Sequence, residues 1–236
     1  MIPFRDHNPS GTVPYVTIAL VAANVLVFLY EAGQHPLRRQ QFVLEYALQP
    51  REVARSLHGE APPGQRLHPA ATFFTSMFLH GGLLHLLGNM LYLWIFGDNV
   101  EDRMGHVKYL VFYVLCGLGA GAIHMGFNAG SSVPTVGASG AISGVLGAYM
   151  LAFPRARVST LVFLGFFVTV LELPALVLLG LWFVLQVFSG VGSLAAANAG
   201  GVAWWAHVGG FVVGMLLLAV FQKPRERRRA YEYYRR

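Results

Sequence analysis

Val136-Gly137-Ala138-Ser139-Gly140-Ala141-Ile142-Ser143-Gly144-Val145-Leu146-Gly147-Ala148 is the segment around which the rest of the chain is arranged. It is apolar, uncharged and crowded with small residues. Gly140, Gly144 and Ala148 recur every four residues, with Gly147 beside them. On a helix this spacing makes one flat face without bulky side chains. In lipid, such a face lets a second helix approach closely. At its head stands Ser139, a hydroxyl flanked by small residues. On this segment alone, packing of a membrane helix accounts for Ser139 as well as chemistry does. Two other stretches, His85 to Asn89 and Ala206-His207, shift that balance.

The composition places the segment in a membrane. Of 236 residues, 55% are hydrophobic and 12% charged, against about 25% charged in soluble domains. The reading is an all-α polytopic membrane protein with six spans and a short central fourth helix. The single cysteine, Cys116, excludes an intrachain disulfide. Its surroundings are apolar, which points to packing and not reactivity. No cleavable signal peptide and no 20–50-residue repeat is expected. The basic charge clusters at the C-terminus, as a topology signal and not as a nucleic-acid surface.

The expected spans follow from apolar runs and their breakers. Residues 1–13 read as a cytoplasmic segment, 14–222 as the membrane domain and 223–236 as a basic cytoplasmic tail. The first span covers about 14–30, with Asn24 as an interhelical hydrogen-bonding residue. An outer loop over 31–71 is expected to carry short interfacial helices or turns. Gly81-Gly82 is too costly for a helix interior, roughly 2 kcal/mol for the pair. The second span therefore starts near Gly82 and ends near Asp102. The third covers about 105–126 and the fourth about 139–153. Residues 158–170 are expected to lie in the interface or re-enter the membrane, unless they belong to one long kinked helix. The fifth span is placed at about 173–188, with Pro174 in its first turn. A flexible loop over 189–201 and a sixth span at about 203–221 complete the scheme.

With six spans both termini share one side. That side carries 12 of the 17 Lys and Arg residues, so it is expected to be cytoplasmic. Spans two, four and six then run inward. His85, Asn89, Ser139 and His207 all fall near their outer starts, His207 about 6 Å deep at 1.5 Å per residue. Intramembrane polar groups of this kind are functional candidates, and four at one depth reinforce one another. Serine needs a base to act as a nucleophile, and histidine is the usual one. Close approach requires Gly140, Gly144 and Gly147 to face Gly209, Gly210 and Gly214. His85 and Asn89, at i and i+4, can donate toward a developing oxyanion. The Ser139 N–H at a helix N-terminus adds a third donor. No carboxylate is expected near His207, since Glu31 to Glu60 fall in the outer loop and Glu172 at the cytoplasmic end. The inferred machinery is a Ser-His dyad.

These motifs resemble the rhomboid family of intramembrane serine proteases, in its prokaryotic six-span form, over about residues 70–222. Gly137-Ala138-Ser139-Gly140 resembles the family's G-x-S-G, Ala206-His207 with Gly210 and Gly214 its Ala-His motif, and His85 with Asn89 its His-x-x-x-Asn. The resemblance implies Ser139 as nucleophile, His207 as base, an oxyanion hole of His85, Asn89 and the Ser139 N–H, and His80 as a supporting histidine. Val100-Glu101, Arg103 and Gly105 resemble the turn after the second span. It implies no metal or cofactor, transmembrane proteins as substrates, the bilayer as surroundings, and a cell inner membrane as location. Two positions depart. The outer loop ends Gln65-Arg66-Leu67-His68-Pro69 in place of a Trp-Arg pair. Ser143 stands where some relatives place an aromatic ring against the histidine, so Trp204 or Trp205 is expected to orient His207. The competing readings are an inactive rhomboid relative that binds membrane proteins, and a transporter relaying protons or metal through His207 and His85. The first usually lacks the serine or histidine; the second needs acidic partners. His7, His35, His58, His106 and His124 read as surface or packing residues.

Overall fold

The computed structural model describes residues 1–60, 67–165, 167–195 and 202–223. A strand, β1 (Ile2–Asp6), leads into helix α1 (Tyr15–Ala32). Two helices, α2 (Pro36–Tyr46) and α3 (Pro50–Leu57), lie within the expected outer loop. A short helix α4 (Thr72–Thr75), bracketed by two single turns, precedes α5 (Leu83–Met104). Then come α6 (His106–Asn128), α7 (Ser139–Ala152), strands β2 (Arg157–Leu164) and β3 (Phe167–Pro174), α8 (Ala175–Ala195) and α9 (Trp204–Phe221). Helices α1, α6, α8 and α9 are each long and apolar enough to cross a membrane. So is Pro69–Phe78 taken together with α5, although the two are bent by 80° at the Gly81-Gly82 break. Gly81 and Gly82 lie between the helices, as their cost in a helix interior requires.

Helix α7 is the centre of the bundle. With 14 residues it spans about 21 Å, short of the roughly 30 Å hydrocarbon core. Every residue from Gly140 to Met150 is buried, because α5, α6, α8 and α9 surround it. Its small-residue face meets α9. A Cβ on Gly210 would run into the Gly140 carbonyl, and one on Gly214 into the Gly144 backbone. A Cβ on Gly147 would meet the Phe211 carbonyl. Backbone thus touches backbone along the seam, and any side chain there would push the helices apart. Gly209 departs from the expected set: it faces Ile123 of α6. Cys116 is buried behind Gly144, in the packing position its neighbours suggest.

The segment expected to be interfacial or re-entrant is instead a β-hairpin. β2 and β3 pair antiparallel from Arg157↔Pro174 to Leu164↔Phe167. β1 pairs antiparallel with β2, giving the order β1-β2-β3. The helical bundle stands as expected, and to it the structure adds this small three-stranded sheet. The β-branched and aromatic residues of 158–170 favour strands; β2 and β3 pair locally, while the third strand, β1, lies some 150 residues away, out of reach of local pattern reading. Residues 1–13 are correspondingly part of the fold and not a separate segment. The Asn8 side chain donates to Asn99, the Tyr149 hydroxyl donates to Asp6 at 2.7 Å, and Thr12 donates to Asp102 at 2.8 Å. Burial pushes the Asp6 carboxyl above its ordinary range, against the lowering effect of the Tyr149 bond.

Two span boundaries also move. Pro174 ends β3 and does not enter the helix; α8 begins at Ala175. It continues through the Ser189-to-Ser193 stretch expected to be loop, where the Ser193 hydroxyl donates to the Gly190 carbonyl at 2.7 Å. The remainder of that expected loop, 196–201, and the tail beyond Lys223 lie outside the described residues.

At the end of the bundle away from Ser139, Glu101 of α5 is fully buried. Its carboxylate accepts the N–H groups of Val16 and Thr17 at 2.9 and 2.8 Å, and the Thr17 hydroxyl at 2.8 Å. These are first-turn donors of α1, which have no carbonyl partner within their own helix. His106 Nδ1 completes the set at 2.6 Å. Glu31, expected in the outer loop, is instead buried in the last turn of α1.

Candidate active site

Ser139 is the first residue of α7. The preceding turn depends on Gly137, whose φ of +124° suits glycine alone. A Cβ there would come within 2.8 Å of the His85 ring and 3.5 Å of Asn89 Nδ2. Gly137 therefore lets two side chains of α5 close over the chain just before Ser139. The Gly137 N–H donates to the Ser76 carbonyl at 2.9 Å, tying this turn to the segment before α5. As the first helical residue, Ser139 keeps an N–H free of any carbonyl in its own helix.

His207 sits in the first turn of α9. Its Nε2 lies 2.8 Å from Ser139 Oγ. The separation is a hydrogen bond of ordinary length, and the glycine seam between α7 and α9 is what allows it. On its other side, His207 Nδ1 lies 2.8 Å from Oε1 of Gln186 on α8. The Trp182 ring stands 5.9 Å from the imidazole at 35°, and Trp204 6.3 Å away, edge-on at 88°. Trp205 turns elsewhere and stacks on Phe127 at 3.9 Å. Of the two tryptophans expected beside His207, then, Trp204 is there and Trp205 is not.

Asn89 is buried, and among the described residues its Nδ2 has no hydrogen-bond partner. His85 Nδ1 accepts the Gly81 N–H at 3.4 Å, which leaves the proton on Nε2, the nitrogen facing Gly137. His80 is buried with both ring nitrogens unpartnered and packs edge-on to His85, with centroids 5.2 Å apart. Ser143 donates its hydroxyl to the Ser139 carbonyl at 2.6 Å, so the position is filled by a local bond. His85, Asn89, Ser139, His207, Trp204 and also His124 line one open cavity of about 1290 Å³. His124, read as a packing residue, is held there by the Thr135 hydroxyl at 3.1 Å. Among the described residues no group of three or more His, Cys, Asp or Glu side chains could hold a metal ion.

Ser139, His207, His85 and Asn89 line one cavity; Gly137 lies against His85 and Asn89, His80 packs on His85, and Gly140, Gly144, Gly210 and Gly214 form the α7–α9 seam. Gln186 was not among the expected residues. Its signal was available, since it is the one amide in α8, and polar groups in a span need a reason.

The rhomboid domain profile matches residues 68–224, more than half of the chain. The chain belongs to the rhomboid family. It is 34% identical to RHOMBOID-like protein 1 of Arabidopsis thaliana over 155 residues, 65% of this chain and 35% of that protein. It is 30% identical to the rhomboid protease GlpG of Salmonella paratyphi A over 149 residues, 63% of this chain and 47% of GlpG. RHOMBOID-like protein 7 of Arabidopsis thaliana is 28% identical over 221 residues, 88% of this chain and 65% of that protein. The rhomboid chain described here therefore spans about a third to two-thirds of the length of these relatives.

Proposed function

We propose that this rhomboid is an intramembrane serine endopeptidase that cleaves transmembrane segments of other membrane proteins. The observation that carries the reading is the 2.8 Å contact between Ser139 Oγ and His207 Nε2, made inside a helix bundle and opening on a cavity. Ser139 Oγ attacks the scissile carbonyl while His207 Nε2 takes its proton. The oxyanion that forms meets donors already aimed at it: Asn89 Nδ2, unpartnered before substrate arrives, His85 Nε2–H, and the Ser139 N–H. Such preorganised donors stabilise charge without reorganising during the reaction. His207 then returns the proton to the leaving amine, and water repeats the cycle on the acyl-enzyme. His80 supports His85 through ring contact.

A helical substrate has its carbonyls bonded internally, so the segment must unwind to present an extended peptide. Entry from the bilayer between α5 and α8 fits the position of the cavity. The Lys and Arg distribution supports cytoplasmic termini. Placement in a prokaryotic inner membrane rests on likeness to the six-span form, while plant relatives match the same domain. No cofactor enters the mechanism.

The test is purified protein in liposomes with a single-span substrate, alongside a fluorophosphonate probe for the nucleophile. Wild type should cleave and be labelled; Ser139→Ala should do neither while keeping its melting temperature. Cleavage by Ser139→Ala, with contaminating protease excluded, would overturn the assignment. Binding of the substrate by wild type without cleavage or labelling would favour an inactive membrane-protein-binding rhomboid.

A further inference from the structure

Helix α8 brings a single amide into contact with the base. Gln186 is buried, and an unbonded amide in an apolar span carries a desolvation cost. It meets that cost through one bond, to His207 Nδ1 at 2.8 Å. We propose that Gln186 is the positioning residue of this active site, holding His207 in the tautomer and ring orientation that let Nε2 accept the serine proton. The inference rests on the Ser139–His207 reading above and deepens it.

The proton arrangement follows from donors and acceptors. Gln186 Oε1 can only accept, so Nδ1 carries the imidazole proton. Nε2 is then a bare lone pair 2.8 Å from Ser139 Oγ, ready to take the hydroxyl proton. The opposite tautomer would put a proton on Nε2 and disable it as a base. The position also explains how the rhomboid does without an aromatic residue at 143. Ser143 is turned back to the Ser139 carbonyl, so position 143 offers nothing to the ring. Trp182, one turn before Gln186 on the same face of α8, stands beside the imidazole and also 6.0 Å from Phe211. The pair Trp182 and Gln186 thus meets the pair His207 and Phe211, both at four-residue spacing. A neutral amide orients the ring without burying a carboxylate, which would be far costlier in lipid. It also follows that the base is oriented only while α8 is docked on α9.

The experiment compares wild type, Gln186→Leu and Gln186→Glu in liposomes, by steady-state cleavage, fluorophosphonate labelling, melting temperature and pH profile. Gln186→Leu should keep its melting temperature and KM but lose about 10- to 100-fold in kcat and labelling rate, less than the roughly 10⁴-fold known for losing a charged orienting partner. Gln186→Glu supplies an acceptor of the same shape and should restore turnover at high pH. When ionised it favours the imidazolium, so the acid limb of its profile should move to higher pH than wild type. His85 and His124 line the same cavity in every variant, so the difference between profiles reports on position 186. Wild-type kcat and labelling in a folded Gln186→Leu would overturn the proposal. Should that variant unfold, an unmoved acid limb in Gln186→Glu overturns it and a moved one supports it. Failure of the dyad reading looks different: wild type itself would neither cleave nor be labelled.

Discussion

Asn89→Ala separates catalysis from stability at this site. In a span, losing a buried hydrogen-bonded amide ordinarily destabilises. Here Nδ2 has no partner in the resting protein, so truncation breaks no bond to it. It relieves a buried donor whose lack of a partner costs about 1–3 kcal/mol. Against that stands the packing lost when the side chain is cut back beside Gly137, in a region that opens on the cavity. The two contributions offset each other, so net stability should change by about 1 kcal/mol or less, which is a shift of roughly 2–4 °C in melting temperature at this size. The transition state is another matter. On the proposed mechanism Nδ2 gains an anionic acceptor there, and losing one such donor costs about 10² to 10³ in turnover, or roughly 3–4 kcal/mol. KM should hardly move, because the bond forms only as charge develops. The residual rate reflects His85 and the Ser139 N–H. The assay is kcat and KM with a fluorogenic single-span substrate in liposomes, beside a tryptophan-fluorescence melt. A melting temperature lowered by about 10 °C with unchanged kcat in the folded fraction would refute the reasoning and make Asn89 a structural residue.

Glu101→Ala should do the reverse, leaving three donors of α1, and His106, without their acceptor. A loss of about 3–5 kcal/mol should appear as a melting temperature lower by on the order of 10 °C, with kcat of the folded fraction unchanged; a shift of about 2 °C or less would show that Glu101 does not hold α1 to α5. A disulfide joining α5 to α8 should abolish cleavage of membrane-embedded substrates and be reversed by reductant, and since Cys116 is buried it should not interfere. Full activity in the oxidised form would exclude entry between these helices.

How far the sequence alone reached depends on how local the information is. The glycine break at 81–82, the start of α7 at Ser139 and the small-residue seam are written in spacings of a few residues, so helices and their close faces were legible. His85 with Asn89 was legible as one helical face for the same reason. The nearness of Ser139 and His207 was inferable because topology and charge bias put their two helices at a common depth. What tertiary structure decided is whatever depends on partners distant in the chain. Residues 157–174 pair with each other as a hairpin turning at Gly165, and β1, from the opposite end of the sequence, adds a third strand; the β-branched and aromatic content was legible locally, that distant partner was not. Glu101 is buried because α1 brings it bare N–H groups, and Glu31 because the bundle closes around the last turn of α1. Gly209 turns to Ile123 because α6 and α7 divide the glycines of α9 between them. Gln186 stood out as an amide among apolar residues, but nothing in its own segment says which group it serves. That follows from α8 packing antiparallel on α9, which sets the amide oxygen against the one imidazole nitrogen that Ser139 leaves unused.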